Sequence, residues 1–152
     1  MNLKSYLQTR APVFTESEIA PIHLADLNGR HYYAFAADVK PPSGGKSVSD
    51  EELEAVITYS HVIRQIKEEA GRRILQVAPL WKQQNACVDL YLLGDRTDLT
   101  DGEQEALTKA QDLLAQVQVL RERSDTIEAS FLNGVAVDYL TDKAWEDDVH
   151  AE

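Results

Sequence analysis

The chain has 152 residues, 43% hydrophobic and 27% charged, a balance that argues against wholesale disorder and a length that can bury a sizeable core without metal or disulfide staples. Its net charge of −11 is unevenly placed: residues 1–48 carry +1, 49–93 carry −2 and 94–152 carry −10, the last from five basic against fifteen acidic side chains. Such a surface repels a phosphate backbone and shows no cluster of Lys and Arg, so nucleic acid is disfavoured as a partner.

The single cysteine, Cys87, excludes an intramolecular disulfide. Met1 to Arg10 lacks the apolar core of a signal peptide, and nowhere do about 18 apolar residues run together, so no membrane partner and a soluble, cytosolic protein are expected.

Residues 2–20 mix apolar and polar side chains, and Thr15-x-x-Glu18 is a candidate cap for one short helical turn between Pro12 and Pro21. A clearer signal follows. Residues 22–27 and 30–35 are β-prone and are joined by Asn28-Gly29, which reads as a hairpin with a type I′ turn because both turn residues tolerate positive φ. Ile22 and Leu24 alternate on one strand, as Tyr33 and Phe35 do on the other. Lys40 to Lys46, with two prolines and two glycines, is a linker by composition.

Ser49-x-x-Glu52 is a capping box that opens a helical run to about Leu93. Val56, Tyr59, Ile63, Ile66 and Ala70 form its inward stripe, continued after a one-step slip by Ile74, Ala78, Trp81, Asn85, Val88 and Leu92. Pro79 predicts a kink, since it removes a backbone donor and disfavours helix at Ala78. After the loop at residues 94–99, Thr100-x-x-Glu103 is a second capping box. Leu107, Ala110, Leu114, Val117, Leu120, Ser124, Ile127 and Phe131 carry the second helix's stripe, and Asn133-Gly134 stops it. The expected fold is α+β and mainly α: an N-terminal segment with a β-hairpin (1–48), a long antiparallel helical hairpin (49–134) and an extended, docked C-terminal tail (135–152).

No motif carries chemistry. Pro42 to Ser47 ends in Gly-Lys-Ser, but a phosphate-binding loop needs glycine where this chain has Lys40, so a linker is the better reading. Asp95, Asp98, Asp101 and Glu103 lack the spacing of a calcium loop, and helix capping explains them. His23, His31, His61 and His150 stand apart, without ligands at helical spacing that suggest zinc. Cys87, between Ala86 and Val88, reads as an inert packed thiol. Asn85 and Ser124 place polar groups in the hairpin seam, where such residues fix register. Trp81 reads as a core anchor against residues 113–117. The expectation is no catalytic residue, no metal and no cofactor.

Arg73-Ile74-Leu75, Ala78-Pro79-Leu80-Trp81-Lys82-Gln83-Gln84-Asn85, Arg121-x-Arg123-Ser124-Asp125-Thr126-Ile127-Glu128-Ala129 and Asp138-Tyr139-x-x-Asp142-x-x-Trp145 resemble a helical module common in small tail-region proteins of tailed bacteriophages, some grouped with tail-fibre assembly proteins. The similarity covers about residues 68–145. It implies no catalysis, no cofactor and a protein partner: a phage tail or tail-fibre protein, met in the host cytoplasm during assembly or in the virion tail. A phage-encoded binder of a host defence or regulatory protein is the alternative, since high negative charge suits a decoy of nucleic acid.

A turn centred near Thr97 places residue i of the first helix opposite roughly 194 − i of the second, because antiparallel helices rise equally. The first helix then overhangs, and either the β-hairpin and Val135 to Leu140 cover it or another chain does; the broad apolar arc favours another chain, so Leu53, Val56, Ile57 and Tyr59 are the predicted partner-binding residues, toward a tail protein or as a homo-oligomer.

Overall fold

The computed structural model describes residues 1–14 and 20–146. The capping turn expected at Thr15 to Glu18 lies outside them, as does His150. Two units divide the chain: Met1–Glu68 with the chain from Asp125 onward, and Glu69–Ser124.

In the first unit, β2 (Ile22–Leu27) and β3 (Arg30–Phe35) form the predicted hairpin, and Asn28 and Gly29 take φ of 50° and 71° as a type I′ turn requires. Two further strands complete a four-stranded antiparallel sheet of order β2-β3-β1-β4: β1 (Asn2–Leu7) beside β3, with Asn2 opposite Phe35 and Leu7 opposite Arg30, and the short β4 (Lys46–Ser47) beside β1. They answer the problem that an isolated ribbon is only marginally stable.

The expected linker is therefore part of the sheet domain. Gly44 needs its φ of +89°, and a Cβ on Gly45 would lie 2.7 Å from the Tyr6 ring, whose hydroxyl donates to Pro42 O at 3.0 Å. Lys46 is bound as well, with Nζ 3.2 Å from Glu52 Oε1.

The sheet buries Leu24, Ala25, Tyr32 and Ala34 against Val56 of α1 (Asp50–Tyr59), joined by Leu3, Ile22, Val48 and Leu132. Its other face carries rings, with Phe14 set 5.0 Å from Tyr33 and 5.8 Å from Phe35 between centroids. The capping box is complete: Ser49 Oγ accepts from Glu52 N, and Glu52 Oε2 accepts from Ser49 N at 3.0 Å.

The first helical arm breaks twice rather than once. Ser60 is extended (φ −65°, ψ 123°) and buried, and its Oγ accepts from Ile63 N at 3.3 Å, capping α2 (His61–Val77). Serine is a preferred cap but no helix breaker, so this break had no Pro or Gly to announce it. The second break falls at Ala78-Pro79 as predicted. Pro79 leads into α3 (Leu80–Leu93), and Gln83 Nε2 donates to Ala78 O at 2.6 Å, satisfying a carbonyl that the break leaves open.

The second arm is one helix, α4 (Asp101–Leu132), begun by the predicted box, in which Thr100 N donates to Glu103 Oε2 at 2.8 Å. Leu107, Ala110, Val117, Ser124, Ile127 and Phe131 are buried, as the stripe required. Val135 N donates to Ser130 O and Gly134 N to Phe131 O, which closes the helix in a Schellman motif with Gly134 at φ +74°.

Register agrees with the expectation inside each unit. Lys67 Nζ lies 3.4 Å from Glu128 Oε2 in one, and Trp81 and Leu113 line one cleft in the other. Beyond α4 the tail is less extended than expected: Tyr139 sets its ring 5.9 Å from Phe131, a 3-10 turn spans Asp142–Trp145, and the buried Trp145 donates Nε1 to Tyr139 O at 2.7 Å.

Candidate functional site

The predicted partner-binding residues separate. Val56 is 1% exposed beneath the sheet, so it is core and not interface; the β-hairpin covers it, the alternative that the sequence ranks below another chain. Leu53 and Ile57 are half-buried, Ile57 at the edge of a groove it shares with Arg64 and Lys67. Tyr59, the last residue before the break at Ser60, is exposed.

A larger apolar surface lies in the second unit, on α3. The break at Pro79 resets the helical phase by about one residue, so Ala86, Leu90 and Leu93 turn inward where Trp81, Asn85, Val88 and Leu92 were expected. Trp81 is 60% exposed and Tyr91 88%, with Leu80, Val88 and Leu92 also open. Trp81 is therefore not a core anchor, and Cys87, exposed on the same outward arc, is not a packed thiol. Positions 80, 84, 87 and 91 lie beside 81, 85, 88 and 92 at helical spacing, so the exposed side chains form one band.

Next to this band, α3 and α4 enclose a cleft of about 460 Å³. Its walls include Trp81, Asn85 and Asp89 on one side and Glu105, Lys109 and Leu113 on the other. The floor explains the opening. Gly102, Ala106 and Ala110 recur every fourth residue on α4 and face Ala86, so no large side chain fills the space. Asn85 faces this cleft and not a closed seam, while Ser124 is buried as expected.

His23, His31 and His61 do not stand apart. On a regular strand His23 and Asp26, three residues apart, would point to opposite faces; a register shift between His23 and Ala25 re-aims the strand. Asp26 sits directly across from His31. Asp26 Oδ1 accepts from His23 Nε2 at 2.8 Å and also bonds His31 Nδ1. His61, first residue of α2, brings its ring to 5.6 Å from that of His23. Burial raises the Asp26 carboxyl, but hydrogen bonds from His31 and His23 outweigh it and hold the group below its ordinary value; burial and the Asp26 charge push the Tyr33 phenol up. The signal available in the sequence was the register that Asn28-Gly29 imposes, which makes residues 26 and 31 a cross-strand pair.

Elsewhere the chemistry is local. Arg96 pairs with Asp98 at 3.3 Å and Glu103 at 2.7 Å in the acidic loop, and Glu69 accepts from Arg72 and Arg73 within α2. Among the described residues no helix is long and apolar enough to cross a membrane. Neither a protein-family model, nor a curated protein, nor a solved structure matches the chain.

Proposed function

We propose that the chain is a non-catalytic bacteriophage tail-associated protein, an assembly factor or small virion component, that acts by binding a tail or tail-fibre protein through α3. The observation that carries this reading is the exposed band of Leu80, Trp81, Val88, Tyr91 and Leu92 on a helix whose inward side is held by Ala86 and two leucines. Gln84 and Asn85 cross the middle of the band, but monomeric proteins seldom leave so many large apolar side chains together in water, and aromatic side chains are the usual anchors of protein interfaces. The band overlaps the Pro79 to Asn85 string on which the phage resemblance rests. A fitting partner presents an apolar helical ridge to the band, with the Lys82, Asp89, Glu105 and Lys109 charges around the adjoining cleft forming a polar rim.

The test is co-expression with bacteriophage tail and tail-fibre proteins. Trp81→Ala combined with Tyr91→Ala should reduce recovery of the complex by at least about a hundredfold, the size expected for two interface anchors, with an unchanged melting temperature. A complex that survives both substitutions, or no complex with any tail protein, would sink the reading. Trp145 is buried, so Trp145→Phe leaves the Trp81 indole as a fluorescence reporter of docking.

A further inference from the structure

We propose that His23, Asp26, His31 and His61 form a binding site for a divalent transition-metal ion of the Zn²⁺ class, pinning the β2–β3 hairpin to the start of α2. One donor atom from each of His23, Asp26 and His31 already lies within 4.8 Å of the others. The ring centroids of His23 and His31 are 5.6 Å apart, and those of His23 and His61 also 5.6 Å. Two imidazoles bound to one zinc at ordinary bond lengths and a tetrahedral angle hold their ring centres about 5 Å apart. The His23 and His31 donors already converge, whereas the His61 ring, beside His23, lies outside that 4.8 Å set and must turn its nitrogen inward to complete the site.

The donor set selects the metal. Three imidazoles and one carboxylate suit zinc and its first-row neighbours, whereas magnesium and calcium take oxygen ligands. Four protein ligands fill a tetrahedral shell, and a closed shell is the mark of a structural site. The scaffold places them where such a site would act: β2 is an edge strand, and His61 belongs to the first turn of the helix beyond Ser60. His23, His31 and Asp26 keep 36%, 26% and 48% of their side-chain surface open, which leaves an entry path.

Without an ion, two imidazoles converge on one Asp26 oxygen. Binding exchanges those hydrogen bonds for metal–nitrogen bonds, so each ring must present a lone pair where it now faces Asp26. A ring that is protonated on both nitrogens releases a proton, and a neutral one shifts its tautomer.

The experiment uses the full chain stripped with chelator and titrated with ZnCl₂ by calorimetry, with Mg²⁺ as the control cation. The expected result is one equivalent of zinc with a micromolar or tighter Kd, no uptake of Mg²⁺, and a higher melting temperature with zinc. His31→Ala and His61→Ala should each weaken zinc binding at least about tenfold, a modest demand for loss of one ligand, whereas His150→Ala should leave it unchanged. Ring resonances of His23, His31 and His61 in the unmodified protein provide a readout that needs no variant to fold, and all three should move on adding zinc. No binding at about 1 mM zinc, a scale below which affinity has no structural use, overturns the site; so does binding that follows His150, or ring resonances that stay still.

Discussion

The two units differ in what their large apolar side chains build. The sheet-bearing unit has a core of them, with Tyr6, Leu24, Tyr32, Phe35, Val56, Ile63 and Ile66 all buried, and exposed ones such as Leu7, Val13, Tyr59, Val135 and Leu140 are scattered over strand end, loops and helix end. In the unit Glu69–Ser124, the buried apolar residues are Ala70, Ala78, Ala86 and Ala110 with Leu107 and Val117, while Leu75, Leu80, Trp81, Val88, Tyr91 and Leu92 are exposed. Alanine lets helices approach closely but removes little apolar surface from water. Each large side chain left outside forgoes about 1.5–3 kcal/mol of burial. The contrast teaches that the first unit is stabilised by a core of large side chains, whereas the second leaves its large side chains together on one helix, as the proposed docking role requires.

The contrast breaks most directly at one ring from each unit. Phe35→Ala, at a residue 1% exposed, should cost about 3–5 kcal/mol, the usual range for emptying a core aromatic site. Trp81→Ala removes a larger side chain and should shift stability by no more than about 0.5 kcal/mol, as surface changes do. Urea denaturation followed by circular dichroism measures both. Similar costs for the two would mean that α3 buries its indole after all.

Gly134 tests how tightly the first unit closes. Its φ of +74° lies where L side chains are strained, and a Cβ there would strike the backbone of Phe35 and Ala36. Gly134→Ala should therefore destabilise by at least about 2 kcal/mol, left-handed strain and steric overlap acting together. A melt within a degree of the parent chain would show that the junction between α4 and β3 yields easily.

Legibility in the sequence follows the same division. Both capping boxes, the Asn28-Gly29 turn, the stop at Gly134 and the stripe of α4 are local patterns, and each stands where its residues placed it. Failures came where a distant partner decides. The sequence signal for β1 is weak, because Lys4 and Tyr6 share a face with Leu3 and Ser5 on the other, and a strand forms only because β3 and β4 flank it. The break at Ser60 rotated Tyr59 outward, and the one at Pro79 rephased α3, so a continuous stripe read across both assigned Trp81 to the wrong side. The histidine cluster has no helical ligand spacing to announce it, because a bulge and a cross-strand pair bring the rings together.

Cys87 sharpens the contrast at a smaller scale, since it lies among the outward residues of α3. Its thiol should react with a disulfide reagent in the native protein within about tenfold of the rate in the denatured chain, exposure being the main control in the absence of an activating neighbour. Cys87→Ser should change stability by less than about 0.5 kcal/mol. Protection of the thiol in the free protein would show that the band is already covered, and protection appearing only with a bound tail protein would map the docking face.

The smallest effect concerns the two capping boxes, one in each unit. Hydrogen bonding from Thr100 N, then from Arg96, holds the Glu103 carboxyl down to about 2 from an ordinary 4.5. Glu52 is lowered too, first by Ser49 N and then by Lys46. A carboxyl with a depressed folded-state value contributes stability above its unfolded value and loses it as pH falls toward the folded one. For Glu103 that window runs from about 4.5 down to about 2. Glu103→Gln should flatten the acid limb of the stability curve in that range by removing the carboxylate's contribution at pH 7, a small loss because the amide oxygen still accepts from Thr100 N and the Arg96 pair is exposed and screened. Glu52→Gln should do the same for its own helix. The boxes begin different helices in different units, so the double variant should show the sum of the two changes. Melts from pH 2 to 7 at low and high salt decide the matter. Salt should erase the Arg96 part and spare the Thr100 part, and an acid limb as steep in the double variant as in the parent would mean that neither carboxylate stabilises its helix.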